Sequence, residues 1–382
     1  MTEATMQQPT ASRPEISLVV NTFQKPRHLR LVLESIAAQQ GVSGRFEVVI
    51  SDDGSTDDTA SLVDDWSRRA AFPIHFLTRP HDGFRLAEVR NRGTRVAAGD
   101  FLLFLDGDCI LPPDHLATYL SRRRTGTALL GGCGRLTREL SDSLDSGAVS
   151  AADPRTLLAP SERRLLTRRH RKSWWQSLLR HPSKPRLVGN NFGVWASDYR
   201  RVNGFDERFL GWGQEDDDFG LRLRAAGVRL ESILDATCSL HVWHPTEGSV
   251  TKRWRDGGNV GYFLRRGRLT ACRFGLKNRS AADIVWGLPD DLHDSPLGRR
   301  IDRVLADCQR AGPYERCEVD VVVRPGRATF QRPAECRLLM TAGNPRIEGS
   351  VRRRADRIVP VRDAADGLLA DEGLSALFES VG

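Results

Sequence analysis

GFRLAEVRNRGTRVAAGDFLLFLDGDC, residues 83–109, decides the fold. Its first half reads as a helix from about Leu86 to Ala98 that ends at the Ala-Gly-Asp turn. Its second half opens with FLLFL, a short apolar run with the pattern of a buried strand, and closes on Asp106 and Asp108. Upstream, ISLVV at 16–20 and FEVVIS at 46–51 read as two more buried strands. Between them a helix over 26–40 carries Leu29, Leu33 and Ile36 at helical spacing. Another helix is expected from an N-cap at Thr56 or Asp57 to about Arg69, followed by a short IHFL strand at 74–77. Strand and helix alternate, which predicts an α/β fold with a mainly parallel sheet flanked by helices. Ligands of such sheets collect beyond the carboxyl ends of the strands. Asn21, Phe23, Asp53, Asp106 and Asp108 follow strand ends and are expected along one edge.

Downstream the pattern weakens between about 135 and 186, through Ser, Asp and Pro, the basic run ERRLLTRRHRK and the pair Trp174-Trp175. This reads as a long surface excursion able to act as a lid. Pattern returns over 188–227, with a strand, a helix capped by Ser197, and a second helix that opens at EDDDFGLRLRAAG and is closed by Gly227. Beyond about 250 the functional signals fade, although EVDVVV at 318–323 and CRLLM at 336–340 are strand candidates.

With 382 residues, 40% apolar and 28% charged, the chain has the make-up of a folded globular protein. A net charge of +8 suits nucleic acid, an anionic membrane surface or a phosphate-bearing ligand. No nucleic-acid motif accompanies the charge, so a nucleic-acid partner is not expected. The opening MTEATMQQPTASRPE lacks the basic start and apolar core of a secretory signal, and the longest apolar runs are too short to span a bilayer. Seven scattered cysteines without CxxC spacing fit a reduced cytoplasm better than secretion or a zinc site.

Five clusters can carry chemistry. Asp106-Gly107-Asp108 sets two carboxylates within three residues at a strand end, where they can approach one hard cation such as Mg²⁺ or Mn²⁺; a solvated acidic turn is the plainer alternative. In SDDGSTDDT, Asp53 can hold a base or ribose hydroxyl, while Asp57 and Asp58 read as capping residues. Arg85, Arg90 and Arg92 offer paired contacts to phosphate oxygens, or simply face water. In GWGQEDDD at 211–218, glycines let the backbone bend around a ligand, Trp212 offers a flat face to a sugar, and the acids favour a helix start. Finally, His241 and His244 in SLHVWHP can complete a metal shell begun by a carboxylate.

Together, VVNTFQKPRHL, VVISDDGSTDDT, the 83–109 stretch and NGFDERFLGWGQEDDDFGLRL resemble the family 2 glycosyltransferases of the GT-A fold. The later segment is similar to a C-terminal galactosyltransferase-type module. The resemblance covers roughly residues 14–248, after a polar tail over 1–13 that reads as mobile, and implies a nucleotide-sugar-binding half over 14–125. An acceptor-binding and catalytic half would follow over 126–250, with a basic loop near 135–186, and then an extension of unassigned role over 251–382. It implies that Asn21 and Phe23 touch the uracil of a UDP-sugar, Asp53 the uridine, Arg85 the diphosphate or base, and Asp106 the ribose or donor sugar. Asp108 would be the chief ligand of Mg²⁺ or Mn²⁺, with His244 as its distal partner and His241 as a third candidate. The β-1,4-galactosyltransferases carry Met and His at a similar spacing, so His241 departs from that pattern. Trp212 and Asp217 would face the acceptor, and Asp216 would be the base, with Glu215 as second choice.

The expected activity is transfer of a hexose, glucose or galactose favoured, to an acceptor hydroxyl with inversion, in the cytoplasm. A small soluble acceptor such as a cyclitol-containing natural product is preferred over a polysaccharide or lipid-linked glycan. The basic 162–172 stretch can cover the donor diphosphate, draw an anionic acceptor or touch a membrane surface. A non-catalytic glycan- or nucleotide-binding module is disfavoured by the intact DGD, EDD and HxxH clusters. A sugar nucleotidyltransferase is disfavoured because NTFQKPRHL lacks a glycine-rich phosphate cradle.

Overall fold

The computed structural model describes residues 13–145, 147, 149, 153–245, 256–288, 296–312, 314–324, 330, 332–342, 347 and 349–361. The tail expected over 1–13 lies, up to residue 12, outside the described residues. The strands of the first half are β1 (Ile16–Thr22), β2 (Phe46–Asp52), β3 (Ile74–Leu77), β4 (Phe101–Asp106) and β5 (Cys109–Ile110). They are followed by β6 (Thr127–Leu130), β7 (Cys133–Arg135), β8 (Asn191–Trp195), β9 (Arg229–Ser232) and β10 (Ser239–His241). The main sheet has seven strands in the order β3-β2-β1-β4-β8-β6-β9. All neighbours run parallel except at β8, which is antiparallel to both β4 and β6. The sheet is therefore mainly parallel, as the alternation of elements predicts.

Its strands read as unbroken apolar runs because helices cover both faces. Alternate residues divide between two cores: Leu18, Val20, Val48, Ile50, Leu103 and Leu105 face one, and Val19, Val49, Leu102 and Phe104 the other. Helices α1 (Pro26–Ala37) and α2 (Thr59–Arg69) close the first core through Leu29, Leu33, Ile36 and Trp66. The second is closed by α3 (Leu86–Val96) together with the later helices that carry Tyr199 and Phe219. There Phe104 stacks on Phe192 at 4.7 Å between ring centroids.

Helix α4 (His115–Arg122) and the short α5 (Arg138–Ser143) lead into the region read as an irregular excursion. That reading is corrected by α6 (Pro160–Leu178), a 19-residue helix that carries the basic run. Only Leu166 along it is fully buried, so no amphipathic stripe marks the helix in the sequence. Helix α7 (Ala196–Arg201) starts after Trp195 with no side-chain cap, so Ser197 lies inside the helix and does not cap it. Helix α8 (Glu215–Ala225) is followed by Gly227 at φ +84°, as expected. The cap of α2 falls at Asp58, one or two residues later than expected, while Asp57 accepts from the Thr59 backbone N–H at 3.0 Å.

Strands β5, β10 and β7 form a small second sheet. Toward the C-terminus, β11 (Trp286–Gly287), β12 (Cys317–Arg324), β13 (Ala334–Ala342) and β14 (Arg357–Val361) build a four-stranded parallel sheet. It has its own apolar core around Trp286, Val319, Val321, Leu338 and Met340. Both strand expectations in this region are met. Among the described residues no helix is long and apolar enough to cross a membrane.

Candidate active site

The DGD turn is positioned by contact with β1. Gly107 donates its N–H to the Asn21 carbonyl at 2.8 Å, and a Cβ built on Gly107 would lie only 2.8 Å from that oxygen. Glycine is what allows the chain to pass so close to the end of β1. Asp108 then leads into β5, which pairs antiparallel with β10 so that His241 lies opposite Cys109. Val242 donates its N–H to the Asp108 carbonyl at 2.9 Å, and the His-x-x-His segment is thereby folded over Asp108. His244 Nε2 stands 3.0 Å from Asp108 Oδ2, and His241 Nε2 is 3.6 Å from Oδ1. Ligand atoms of the three residues lie within 4.8 Å of one another. One carboxylate oxygen and two imidazole nitrogens at this separation fit one divalent ion, and the imidazoles favour a transition ion such as Mn²⁺ over Mg²⁺.

Lys25 also reaches this cluster, its Nζ 3.1 Å from Asp108 Oδ2 and 2.9 Å from His244 Nε2. Burial alone would raise the Asp108 carboxyl, but the His244 hydrogen bond and the charges of His241 and Lys25 outweigh it and hold the group below the usual carboxylate range. The His244 ring is raised, chiefly by its hydrogen bond to Asp108, whereas burial lowers His241.

One step along the edge, Asn21 Nδ2 donates to Asp106 Oδ1 at 3.1 Å. The buried Arg90 guanidinium lies 3.4 Å from Asp106 and 3.2 Å from Glu215, and donates to the Gly189 carbonyl at 3.0 Å. Arg90 thus ties β4, the approach to β8 and the start of α8 together. Asn21 Oδ1, Thr22 Oγ1, Arg90 Nε, Asn190 Oδ1 and Glu215 Oε2 are buried here with no protein partner. Buried polar atoms are rarely left unsatisfied, so this clustering marks a place for a polar ligand or water. Further along, Asp53 pairs with Arg79 at 2.6 Å, and Phe23 stacks on His81 with centroids 4.3 Å apart. Arg85 turns outward to the exposed Asp82. The central arginine of this edge is therefore Arg90.

The acidic run opens α8. Gly211, Gly213 and Gln214 have φ of +74°, +95° and +71°, so the chain around Trp212 makes the bend that the glycines allow. Trp212 is exposed. Glu215 is buried, and that burial, with the nearby charge of Asp216, pushes its carboxyl up to about 7. Asp216 is more accessible; its oxygens accept from the Gly189 N–H at 3.1 Å and the Asp217 N–H at 2.7 Å, and burial raises its pKa. Asp217 is pushed up to about 6, first by burial and then by Asp216, and lies 3.2 Å from Arg186. It lines a cavity of about 310 Å³ together with Arg186, Leu187, Arg224 and Phe263. Asp218 points the other way, into a buried ion-pair network with Arg222 and Arg268.

The structure gathers Asn21, Asp106, Asp108, Glu215, Asp216, His241 and His244 at the carboxyl edge of β1 and β4. Lys25, Arg79 and His81 join this edge without having been singled out, and Arg90, read as a phosphate contact or a solvated arginine, is instead buried against Asp106, Glu215 and the Gly189 carbonyl. Arg90 left a trace in the sequence, as an arginine on the buried stripe of α3 with Ala87, Asn91 and Gly93. Lys25 left none.

The fold is the mainly parallel α/β arrangement expected of the GT-A class. Residues 17–134 match the model of glycosyl transferase family 2, and residues 170–244 match one described as the N-terminal domain of galactosyltransferase. Over residues 17–134 the chain is thus similar to the family 2 glycosyltransferases. It is 32% identical over 238 residues to a validoxylamine A glucosyltransferase of Streptomyces hygroscopicus subsp. limoneus, covering 57% of this chain and 50% of the relative. It is 26% identical over 257 residues to a chondroitin synthase of Pasteurella multocida, covering 62% of this chain and 26% of the relative. The chain thus spans half or less of the length of these relatives. A solved mannosyltransferase of Pyrobaculum calidifontis, in complex with GDP-Man and Mn²⁺, is 20% identical, with 62% of this chain and 59% of that one covered at a TM-score of 0.45.

Proposed function

We propose that this protein is an inverting hexosyltransferase that moves glucose or galactose from a UDP-sugar to an acceptor hydroxyl. The observation that carries this reading is the meeting of the Asp108–His241–His244 cluster and the Glu215–Asp217 run at one sheet edge. On this reading Phe23 and His81 flank the uracil beside Asp53, Asn21 and Asp106 hold ribose or donor sugar, and Arg90 fixes the Asp106 and Glu215 carboxylates. Residues 14–125 act as the donor half and 126–250 as the acceptor half, with Trp212 and Asp217 on the acceptor side. Asp108, His241 and His244 would hold the divalent cation, which supplies charge neutralisation for the departing diphosphate. Asp216 takes the acceptor hydroxyl proton as the oxygen bonds to the anomeric carbon and the bond to UDP breaks, its electron pair leaving with UDP. Of the two candidate bases Asp216 is the better placed, because it is accessible and two backbone N–H groups aim its carboxylate. Glu215 is buried against Arg90 and positions it.

The validoxylamine-glucosylating relative supports glucose and a small cyclitol-containing acceptor, whereas the chondroitin synthase supports glycan-chain extension as a second reading. The absence of disulfides among the seven cysteines supports a reducing compartment. The deciding experiment incubates the protein with a panel of UDP-sugars and Mn²⁺, Mg²⁺ or EDTA, and follows UDP release. Metal-dependent release from one UDP-sugar is expected; no release and no UDP binding with any metal would reject the reading.

A further inference from the structure

Helix α6 lies within the proposed acceptor half, but no residue of its outer surface has been given to donor or acceptor. Between residues 160 and 186 the chain carries nine Lys and Arg and a single acid, Glu162. The helix docks by one narrow face, where Leu166 is buried and the Ser177 hydroxyl donates to the Leu230 carbonyl at 2.9 Å. On the opposite face Arg164, Arg168, Arg171, Trp175 and Leu179 follow one another at spacings of four, three, four and four, which places them on one outward stripe. All five are exposed, and none of the three arginines makes an ion pair among the described residues. At its C-terminal end the stripe turns apolar: Trp174 is 51% exposed, Trp175 55%, Leu178 58% and Leu179 73%.

We infer that this stripe docks the protein on an anionic lipid bilayer, with the arginines against the headgroups and Trp174, Trp175, Leu178 and Leu179 in the interface. Three observations select this occupant. Unpaired cations call for an anionic partner, and within a Debye length of about 8 Å each adds to the attraction. Contiguous exposed tryptophan and leucine belong in a headgroup–acyl boundary, and a phosphate backbone would leave Leu178 and Leu179 wet. A second copy meeting this face would offer the arginines no acid from the same stretch but Glu162. The stripe runs directly into Ser183, Pro185 and Arg186, which line the cavity beside Asp217. Docking therefore brings that cavity close to the bilayer and makes a lipid-linked acceptor the first alternative to the small soluble one.

The test is co-sedimentation of the full chain with vesicles of phosphatidylcholine alone and of phosphatidylcholine with about one quarter phosphatidylglycerol, at about 0.1 M salt and higher. Wild type is expected to sediment with the anionic vesicles only, and less at higher salt. The double variant Trp174→Ser/Trp175→Ser and the triple variant Arg164→Gln/Arg168→Gln/Arg171→Gln should each bind at least about tenfold more weakly. Circular dichroism and the melting temperature should stay unchanged, since the substituted side chains are exposed. Failure to bind, equal binding to both vesicles, binding that survives both variants, tighter binding to duplex RNA, or a dimer dissolved by the Trp variant would each overturn the proposal.

Discussion

At the scale of single residues, the two acids that open α8 differ through their surroundings and not their chemistry. Asp216 is aimed by two backbone N–H groups, so Asp216→Asn is expected to keep UDP-sugar binding and lose about 10²–10⁴ in turnover, as a binding titration beside single-turnover kinetics would read. Full turnover in that variant would remove Asp216 from the reaction. Glu215 is buried and raised to about 7 from its usual 4.5, so ionising it favours the unfolded chain. Stability present below about pH 4.5 is lost as the pH climbs through 7. Glu215→Gln should therefore be more stable than wild type at pH 8, by an order of 2 kcal/mol, with the gap closing toward pH 4.5 in denaturant titrations. A gap that does not change with pH would contradict this account. The position of Asp106 and Asp108 at this edge was foreshadowed by their place after an apolar run, whereas Lys25 in NTFQKPRHL looks like any solvated lysine. Its partners, Asp108 and His244, lie 83 and 219 positions away and meet it only in the folded chain.

At the scale of elements, α8 shows how one acidic run serves two ends. Its first two acids face the site edge, its third, Asp217, lines the neighbouring cavity, and its fourth, Asp218, is fully buried and pairs with Arg222 at 2.7 Å and Arg268 at 2.7 Å. Arg265 adds a longer contact to Asp218 and another to Asp206, which also accepts from Tyr262. Asp218→Asn would leave buried guanidinium groups uncompensated and should cost about 3–5 kcal/mol in urea unfolding. Asp216→Asn, two residues earlier, should change stability by no more than about 1 kcal/mol. Equal costs for the two would mean that the division of labour along α8 is wrong. The helix start and its closing glycine were legible in EDDDFGLRLRAAG; the inward turn of Asp218 was not, because its arginine partners include residues about fifty positions away. α6 was missed for the opposite reason. It buries so little of itself that its sequence carries charge on nearly every side, and helical periodicity is visible only where one face must avoid water.

At the scale of the whole molecule, the group proposed to hold the cation joins the end of β4 to the end of β10, more than 130 residues apart in the chain. A ligand that binds only when both are in place must stabilise the fold: Mn²⁺ at about a hundred times its dissociation constant should add about 2.7 kcal/mol, seen as a rise in melting temperature that EDTA reverses. Asp108→Ala should abolish that rise and weaken UDP-sugar binding together; an undiminished rise in the variant would place the ion elsewhere. The separate core of the β11–β14 sheet contributes none of these ligands, and the same rise is expected in a variant destabilised there by Val321→Ala. The sequence by itself determined the alternation of strand and helix, the mainly parallel sheet and the edge on which Asn21, Asp106 and Asp108 lie. Those follow from local periodicity and from where apolar runs end, which neighbouring residues settle among themselves. The tertiary structure alone decided that Arg90 and Lys25 reach that edge, that Asp218 turns inward and that α6 is a docked helix with a bare outer stripe. Such outcomes depend on which distant surfaces meet, and a side chain's partner across a packed interface leaves no mark on its own stretch of chain.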